Sequence, residues 1–257
     1  MSNNINQDLE TKIIHWGHSA DPTTGALATP ICQTATFAAK TVEHFEELCM
    51  TWGYVYTREC NPTLTELEAK LAMLENAESA ISSTSGMGAI TSTILALVKS
   101  GDHIVSSDGI FSHTKLFMSE LLSKFGVEVT FVDAVNPQNV KEAMRPNTKI
   151  VYIESPLNPS LDLVDIKTIA EIAHENKSLA IVDSTFGTPI VQRPIDLGAD
   201  LVIHSLTKFI NGHGDTLGGA VAGSKELIDL VRWPSLCCFT GASLPPMSAW
   251  MILRGMK

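Results

Sequence analysis

Leu179-Ala-Ile-Val-Asp183 and Leu201-Val-Ile-His-Ser-Leu-Thr-Lys208 indicate the class of fold that this chain adopts. Each segment begins with a short apolar run, which is typical of a strand in a sheet covered on both faces. Each then passes directly into polar residues. In such sheets ligands bind beyond the carboxyl ends of the strands, so Asp183 and Lys208 are expected at one pocket.

Similar apolar runs occur earlier in the chain and alternate with segments of helical periodicity. This alternation predicts βαβ units, and therefore an α/β fold with a mostly parallel sheet covered by helices. Strands are predicted at His103–Ser107, Val127–Val132, Lys149–Ile153, Leu179–Val182 and Leu201–Ile203, and helices from Asn61 onward, over Ser85–Val98, Ser112–Phe125, Gln138–Met144 and Asp165–Asn176.

The first sixty residues have a different character. They contain Pro22, Gly25 and Pro30 and few long periodic segments. Proline and glycine punctuate local structure, so this composition predicts an extended arm. The chain is therefore divided into an arm over residues 1–60 and a large domain over residues 61–257.

The composition excludes several classes of protein. The chain has 257 residues, 18 Lys and Arg against 28 Asp and Glu, and 44% hydrophobic residues. Such a chain can bury a sizeable core and is not intrinsically disordered. Its charge of −10, without a cluster of basic residues, argues against nucleic acid or an anionic membrane surface as a partner. A small molecule or another protein remains.

The N-terminal segment and the cysteine content indicate the cellular compartment. Met1–Glu10 is polar and acidic, so no secretory signal is expected, and no apolar run is long enough to span a membrane. The five cysteines are odd in number and lack a CxxC spacing, which favours free thiols over disulfides and makes structural zinc improbable. A cytoplasmic protein without a metal site is expected.

Two further segments suggest a phosphate pocket beside an amine. Ser85-Gly-Met-Gly88 lies at a predicted helix start, where free N–H groups and the helix dipole favour an anion. His204-Ser-Leu-Thr-Lys208 places two hydroxyl groups just before a lysine. A phosphate site, a lysine and the Asp183 carboxylate are the fixtures that pyridoxal 5'-phosphate requires. The alternative for Asp183 and Lys208 is an ordinary salt bridge between them.

The sequence resembles the pyridoxal-phosphate enzymes of cysteine and methionine metabolism. These include methionine γ-lyase, cystathionine γ-lyase, cystathionine γ-synthase and O-acetylhomoserine sulfhydrylase. The resemblance implies the large domain of a fold-type I enzyme and covers nearly the whole chain. Its carriers are Gly25–Phe37, Tyr54-Val-Tyr-Thr-Arg-Glu-Cys-Asn-Pro-Thr63, Ser85–Ala89, Tyr152-Ile-Glu-Ser-Pro-Leu-Asn-Pro159, Val182-Asp-Ser-Thr185 and His204-Ser-Leu-Thr-Lys-Phe-Ile-Asn-Gly-His-Gly-Asp215.

The resemblance also implies roles for individual residues. Lys208 is similar to the lysine that binds the cofactor covalently and then moves protons, and Asp183 to the partner of the pyridine nitrogen. Tyr56 and Arg58 match a pair that reaches into the neighbouring subunit's site to hold the phosphate, which implies a homo-oligomer with shared active sites. The remaining matches are Gly86, Met87, Ser205 and Thr207 in the phosphate cup, Asn158 near the phenolic oxygen, and Thr185 beside the ring.

The chain departs from the family pattern at Phe111. Members usually carry a tyrosine there, which stacks on the cofactor ring and can donate a proton to the leaving group. Phenylalanine keeps the stacking and loses the proton donor. His113 or Tyr56 would then have to protonate a leaving thiolate, or the leaving group would have to depart without help.

The chain also departs from the family in length. It stops at Lys257, about where the family's large domain is followed by a smaller C-terminal one that binds the substrate carboxylate. The expectation from the sequence is that this small domain is absent and that catalysis suffers.

Three functional hypotheses follow. The leading one is a methionine γ-lyase-like enzyme that converts its substrate by α,γ-elimination into 2-oxobutyrate, ammonia and a thiol. The alternative within the family is a cystathionine γ-synthase or O-acetylhomoserine sulfhydrylase-like transferase, whose acyl leaving group depends less on the acid missing at Phe111. The alternative of another class is a catalytically silent, cofactor-binding remnant that pairs with a full-length relative.

Overall fold

The computed structural model describes residues 8–257 and contains one seven-stranded sheet with helices on both faces. Most of Met1–Glu10, where the absence of a secretory signal was argued, lies outside the described residues. The helices are α1 (Leu9–His15), α2 (Val42–Met50), α3 (Pro62–Leu74), α4 (Gly86–Leu97), α5 (Ser112–Leu116), α6 (Pro137–Ala143), α7 (Ile166–Glu175), α8 (Thr188–Val191), α9 (Lys225–Leu230) and α10 (Pro246–Gly255). The strands are β1 (Ser79–Ser83), β2 (His103–Ser107), β3 (Glu128–Val132), β4 (Thr148–Glu154), β5 (Leu179–Asp183), β6 (Leu201–His204) and β7 (Gly219–Gly223).

The strands run in the order β1-β7-β6-β5-β4-β2-β3. Strands β2 to β6 pair in parallel, and β7 is antiparallel to both of its neighbours. The predicted mostly parallel α/β sheet is therefore confirmed. In the register, Glu154 of β4 lies opposite Asp183 of β5, so two carboxylates end neighbouring strands.

Helices bury both faces of the sheet, as the apolar strands require. On one face Ile181 and Ile203 pack in the same cluster as Ile94 of α4. On the other face Val182 packs with Ile169 of α7, and Val202 packs with residues of α3 and α10. Because both faces are covered, ligand access is left to the ends of the strands.

The predicted helices α3, α4, α5, α6 and α7 begin within one residue of the positions that the sequence indicated, whereas α1, α2, α8, α9 and α10 were not predicted. Asn61 caps α3, since its side-chain oxygen accepts a hydrogen bond from Thr63 N–H, and Pro62 is the first helical residue. The predicted helix over Ser112–Phe125 is less regular than expected. After α5 it continues as a π-helical turn over Phe117–Leu121 and a 3-10 turn over Leu122–Phe125, and Gly126 ends it with φ of 74°.

Two strands were missed by the sequence analysis. Strands β1 and β7 consist of Ser-Ala-Ile-Ser-Ser and Gly-Ala-Val-Ala-Gly, which lack the long β-branched runs of the other strands. Tertiary packing requires glycine at two positions of β7. A Cβ on Gly219 would lie 2.1 Å from Ser85 O, and one on Gly223 would lie 2.5 Å from Asp200 O.

The first sixty residues contain more helix than the sequence suggested. Helices α1 and α2 interrupt the extended segments, and Thr36 forms an isolated antiparallel bridge with Tyr56. No described residue from 8 to 60 is buried. In the part of the chain that the structure describes, no helix is both long and apolar enough to cross a membrane.

Candidate active site

A cavity of about 430 Å³ lies beyond the carboxyl ends of β4, β5 and β6 and beside the N-terminus of α4. It brings together nine of the residues singled out in the sequence, which come from five separate segments of the chain. The residues that line it are Ser85, Gly86, Met87, Ile90, Phe111, Glu154, Asn158, Asp183, Thr185, Phe186, Ser205, Thr207, Lys208, Phe209 and Leu217.

Asp183 ends β5 and is 6% exposed. Its Oδ1 accepts hydrogen bonds from Thr185 N–H (3.0 Å) and from Thr185 Oγ1–H (2.6 Å), and its Oδ2 accepts one from the Tyr152 hydroxyl (3.4 Å). Burial raises the pKa of Asp183, and the hydrogen bonds from Thr185 oppose that rise. The carboxylate is therefore rigidly held while part of it still faces the cavity.

Lys208 carries an exposed amine on the other side of the cavity. It follows β6, and its N–H bonds to Ser205 O at 3.2 Å, which turns the chain so that the side chain faces the cavity. Within residues 8–257 its Nζ forms no ion pair, so the salt bridge with Asp183 that remained as an alternative is not made. An amine and a buried carboxylate thus share the cavity without neutralising each other.

The N-terminus of α4 supplies an anion-binding end to the cavity. The Ser85 hydroxyl caps the helix by accepting from Gly88 N–H at 3.0 Å. The N–H groups of Gly86 and Met87 lie in the first turn, where a helix offers them no internal acceptor. A Cβ on Gly86 would lie 2.9 Å from Ser205 Cβ, so only glycine allows the helix to approach the segment after β6 this closely.

Ser205 and Thr207, the two hydroxyl residues before Lys208, differ in their hydrogen bonding. Thr207 Oγ1 donates to Gly218 O (3.1 Å) and accepts from Gly218 N–H (3.0 Å), so its proton is already used in this arrangement. Ser205 N–H instead donates to Thr185 Oγ1 at 2.8 Å. Through this bond Thr185 connects the Asp183 carboxylate to the segment that precedes Lys208.

Phe111 and Asn158 line the cavity from two other loops. Phe111 comes directly before α5 and is 39% exposed, and its ring lies 5.0 Å from the His113 ring. His113 does not line the cavity. Tyr56 does not line it either, so within one chain neither of the two suggested proton donors lines the cavity, although the His113 ring lies beside Phe111.

Tyr56 and Arg58 lie outside the cavity. They line a separate, open depression with Gln33, Thr34 and Ser243 among others. The Arg58 guanidinium lies 4.9 Å from the centre of the Tyr56 ring, and the Tyr56 side chain is 37% exposed. A single copy of the chain therefore does not bring this pair to its own cavity.

Glu154 is a cavity residue that the sequence analysis did not assign to the site. It ends β4 and is 6% exposed. The sequence did contain a signal for Glu154. Like Asp183, it is a carboxylate directly after an apolar run, and such a residue lies at the carboxyl edge of the sheet. The site also includes Tyr152, which is buried below Asp183, and the apolar residues Ile90, Phe186 and Phe209.

Comparison with known proteins identifies the family. A sequence profile described as the Cys/Met metabolism PLP-dependent enzyme matches residues 10–257. This chain belongs to that family. The cofactor of the family is pyridoxal phosphate, which confirms the cofactor predicted from the sequence.

Similar proteins within the Cys/Met metabolism PLP-dependent family carry related names. The chain is 50% identical to an L-methionine gamma-lyase of Treponema denticola over 255 residues, which are 96% of this chain and 62% of that protein. It is 42% identical to a cystathionine gamma-lyase of Bacillus subtilis, with 96% of this chain and 63% of that protein covered. The crystal structure of metB from Corynebacterium glutamicum matches 98% of this chain and 64% of its own, at 34% identity and a TM-score of 0.92.

The chain spans less than two thirds of the length of these relatives. The family match nevertheless includes every segment that lines the cavity, from Ser85 to Leu217. The fold-type I architecture predicted from the sequence is thus confirmed for the part of the family's enzymes that this chain represents.

The cavity residues fit a bound pyridoxal phosphate. Asp183 is a buried carboxylate that forms no ion pair within the described range, residues 8–257, and a protonated pyridine nitrogen would supply its missing positive charge. The open first turn of α4 offers N–H donors to a phosphate. Lys208 offers an amine without a competing carboxylate. These three groups are the donor set that the cofactor requires.

Proposed function

We propose that this chain is the cofactor-binding part of a PLP-dependent carbon–sulfur lyase with L-methionine γ-lyase-like activity. Its products would be 2-oxobutyrate, ammonia and a thiol. The observation that carries the proposal is that Asp183, Lys208 and the α4 N-terminus meet at one cavity. The L-methionine gamma-lyase name of the Treponema denticola relative supports the choice of substrate.

Holding the cofactor would involve residues from four segments. Gly86 and Met87 N–H groups, together with the Ser205 hydroxyl, would bind the phosphate. Thr207 would contribute its hydroxyl only after that group turns away from Gly218. Asp183 would hold a proton on the pyridine nitrogen, and the bonds from Thr185 keep its carboxylate in the required orientation.

Pyridoxal phosphate, when bound, withdraws electrons from the substrate and so stabilises negative charge at its α-carbon. Lys208 is the base that we assign to this chain. Its amine would remove the proton from the α-carbon and then move a proton at the β-carbon, which the γ-elimination requires. Phe111 would pack against the ring, and Asn158 would lie near the phenolic oxygen. Lys208 lines the cavity and its Nζ forms no ion pair within residues 8–257, so its amine is available for this role.

A second candidate activity follows from Phe111. Because Phe111 has no hydroxyl group, the cavity of a single chain lacks a neighbouring phenol that could protonate a leaving thiolate. An acyl leaving group, as in O-acetylhomoserine, needs less acid assistance. A cystathionine γ-synthase or O-acetylhomoserine sulfhydrylase-like transferase is therefore the alternative within the family.

We further propose that the chain acts as a homo-oligomer with shared sites. Tyr56 and Arg58 lie on an exposed surface of the arm over residues 1–60, away from the cavity of the large domain over residues 61–257. In a dimer this pair would complete the phosphate site of the neighbour, where the Arg58 guanidinium suits a phosphate group. The five free cysteines support a reducing compartment, and we propose the cytoplasm.

The test is an absorbance titration of the purified chain with pyridoxal phosphate. We expect a visible band that is absent in Lys208→Ala and retained in the control Lys167→Ala, which removes an exposed lysine of α7 that does not line the cavity. Methionine should then yield 2-oxobutyrate, and O-acetylhomoserine with a thiol should yield a thioether if the transferase alternative holds.

Other outcomes of this titration contradict the proposal in different ways. A folded chain without the visible band would contradict cofactor binding. A band that depends on Lys208, with no turnover of either substrate, would favour the silent remnant, which acts by pairing with a full-length relative.

A further inference from the structure

Glu154 is the buried carboxylate of the cavity that the proposed chemistry does not use. It closes β4 between the ends of β2 and β5, and only 6% of it is exposed. Within residues 8–257 it forms no ion pair with a lysine, arginine or histidine. A buried charge without a cationic partner is costly, so its position calls for an explanation.

The explanation lies in what its two oxygens bind. Oε2 accepts a hydrogen bond from Phe111 N–H at 2.7 Å, and Oε1 accepts one from Asn158 N–H at 3.2 Å. Both donors are main-chain groups, and they belong to different loops. One follows β2, and the other follows β4 itself. A single side chain therefore ties together the two loops that carry the cavity residues Phe111 and Asn158.

The two loops also approach each other directly, at the apolar side chain of Leu157. A Cβ on Gly109 would lie 3.0 Å from Leu157 Cδ1, so the two loops pass close to each other just before Phe111 and Asn158. Such contact does not determine the direction in which the N–H groups point. Two hydrogen bonds to one carboxylate do determine the direction of the N–H groups, because each bond has a preferred direction and the two oxygens are held in one plane.

We propose that Glu154 is a positioning residue that clamps the Phe111 loop to the Asn158 segment and so sets the width of the cavity between them. The inference rests on the proposed function in one respect, because the gap that it sets is the one assigned to the cofactor ring. It goes beyond that function by naming the side chain that holds the gap in the absence of any ligand.

The environment of Glu154 is consistent with a clamp that can be released. Burial, followed by repulsion from Asp183, raises the pKa of Glu154 to about 7, while the two N–H donors oppose that rise. The charged and titratable groups around it are Asp183 on β5, Tyr152 on β4, Lys208 after β6, and the Asp108–Lys115 pair and His113 around the Phe111 loop. A proton on Glu154 would convert one acceptor oxygen into a donor, which cannot bind an N–H group.

The primary test is amide hydrogen exchange of Glu154→Gln, measured without cofactor. The amide side chain keeps one acceptor oxygen and turns the other position into a donor that faces an N–H group. We expect exchange at Phe111 or Asn158 to become at least about tenfold faster, because a hydrogen bond to a charged group is lost. Exchange in α7 should not change. The matched control Glu171→Gln alters an exposed glutamate of α7 and should leave both loop amides at the original rate.

Unchanged exchange at both Phe111 and Asn158 in folded Glu154→Gln would overturn the clamp. If that variant does not fold, the unsubstituted chain gives the same information by NMR. The Phe111 amide proton should move upfield as pH falls through about 7, and it should do so equally in His113→Gln, which removes the neighbouring imidazole. An amide proton whose chemical shift stays constant between about pH 3 and 9 would overturn the proposal, because it would not sense the titration of a carboxyl group.

A second measurement, with pyridoxal phosphate added, separates the clamp from the proposed function. Where the unsubstituted chain gives a visible circular dichroism band, Glu154→Gln should change the sign or reduce the size of that band, because the ring is held differently. An unchanged band would contradict the positioning role. If the unsubstituted chain binds no cofactor at all, the proposed function fails, and the exchange result still decides whether Glu154 is a clamp.

Discussion

At the scale of single residues, the chemistry of this chain depends on what each cavity side chain can donate or accept. Asp183 is held by Thr185 and Tyr152, and within residues 8–257 neither Asp183 nor Lys208 forms an ion pair. Both are therefore available to a ligand. In the proposed γ-elimination Phe111 would limit the reaction, because a benzene ring has no proton to give.

Phe111→Tyr should raise the rate of methionine γ-elimination by at least about tenfold, since a phenol beside the leaving thiolate can act as a general acid. Release of 2-oxobutyrate from methionine measures the effect. Turnover of O-acetylhomoserine should change little, because an acyl group leaves without that proton. Phe125→Tyr, at an exposed position that ends the 3-10 turn, is the control and should change neither rate. Equal methionine turnover in Phe111→Tyr and the unsubstituted chain would show that the phenol is not what limits elimination.

At the scale of elements, a buried pair connects α3 to β6. Glu75 follows the last residue of α3, and His204 is the last residue of β6. His204 Nε2 lies 2.5 Å from Glu75 Oε1, and the two residues are 2% and 1% exposed. Neither His204 Nδ1 nor Glu75 Oε2 has another partner among the described residues. The pair thus anchors the strand end from which the segment leading to Lys208 begins.

Glu75→Ala should lower the free energy of unfolding by about 3 kcal/mol, because it leaves the His204 ring buried without its partner. Urea denaturation measures the change. Glu75→Gln keeps an acceptor oxygen and should cost less. Glu142→Ala, at an exposed glutamate of α6, is the control and should stay within about 0.5 kcal/mol of the unsubstituted chain. A loss of similar size for Glu75→Ala and Glu142→Ala would show that the pair does not anchor the strand.

At the scale of the whole molecule, residues 8–60 contribute no residue to the cavity that holds Asp183 and Lys208. The residues from 8 to 60 contribute no buried side chain, and several of their apolar residues, among them Leu27, Met50 and Val42, are more than two thirds exposed. Tyr56 and Arg58 lie in this exposed region. A neighbouring copy that covers this surface would at once bury apolar area and bring Arg58 to a phosphate site.

Mixing two inactive variants tests whether sites are shared between copies. Arg58→Ala and Lys208→Ala should each lose activity. A one-to-one mixture that exchanges subunits should recover about a quarter of the unsubstituted activity. The reason is that half of the dimers are mixed and that one of the two sites in each mixed dimer is intact. Turnover of methionine or O-acetylhomoserine measures the recovery. The control mixture of Lys208→Ala with Asp183→Asn should recover nothing, since both changes lie in the same cavity. No recovery in the first mixture would contradict a shared site.

Local patterns in the sequence were sufficient for the fold class and for most of the cavity. Apolar runs such as Leu179–Val182 become buried strands because their side chains leave water in almost any arrangement of the chain. Asn61 with Pro62, and Gly126, mark helix ends through their own capping and backbone preferences. Asp183 and Lys208 could be placed at one pocket because parallel strands bring their carboxyl ends to one edge.

Tertiary structure decided the rest, because those features depend on contacts between distant segments. Strand β7 requires glycine at Gly219 and Gly223 because Ser85 O and Asp200 O lie too close for a Cβ, and no local propensity reveals these contacts. Tyr56 and Arg58 line a depression together with residues from Gly241 to Pro246 and do not line the cavity, an arrangement that depends on contacts between distant segments. The two bonds of Glu154 join loops 43 and 4 residues away along the chain, and only the folded arrangement makes its carboxylate their common acceptor.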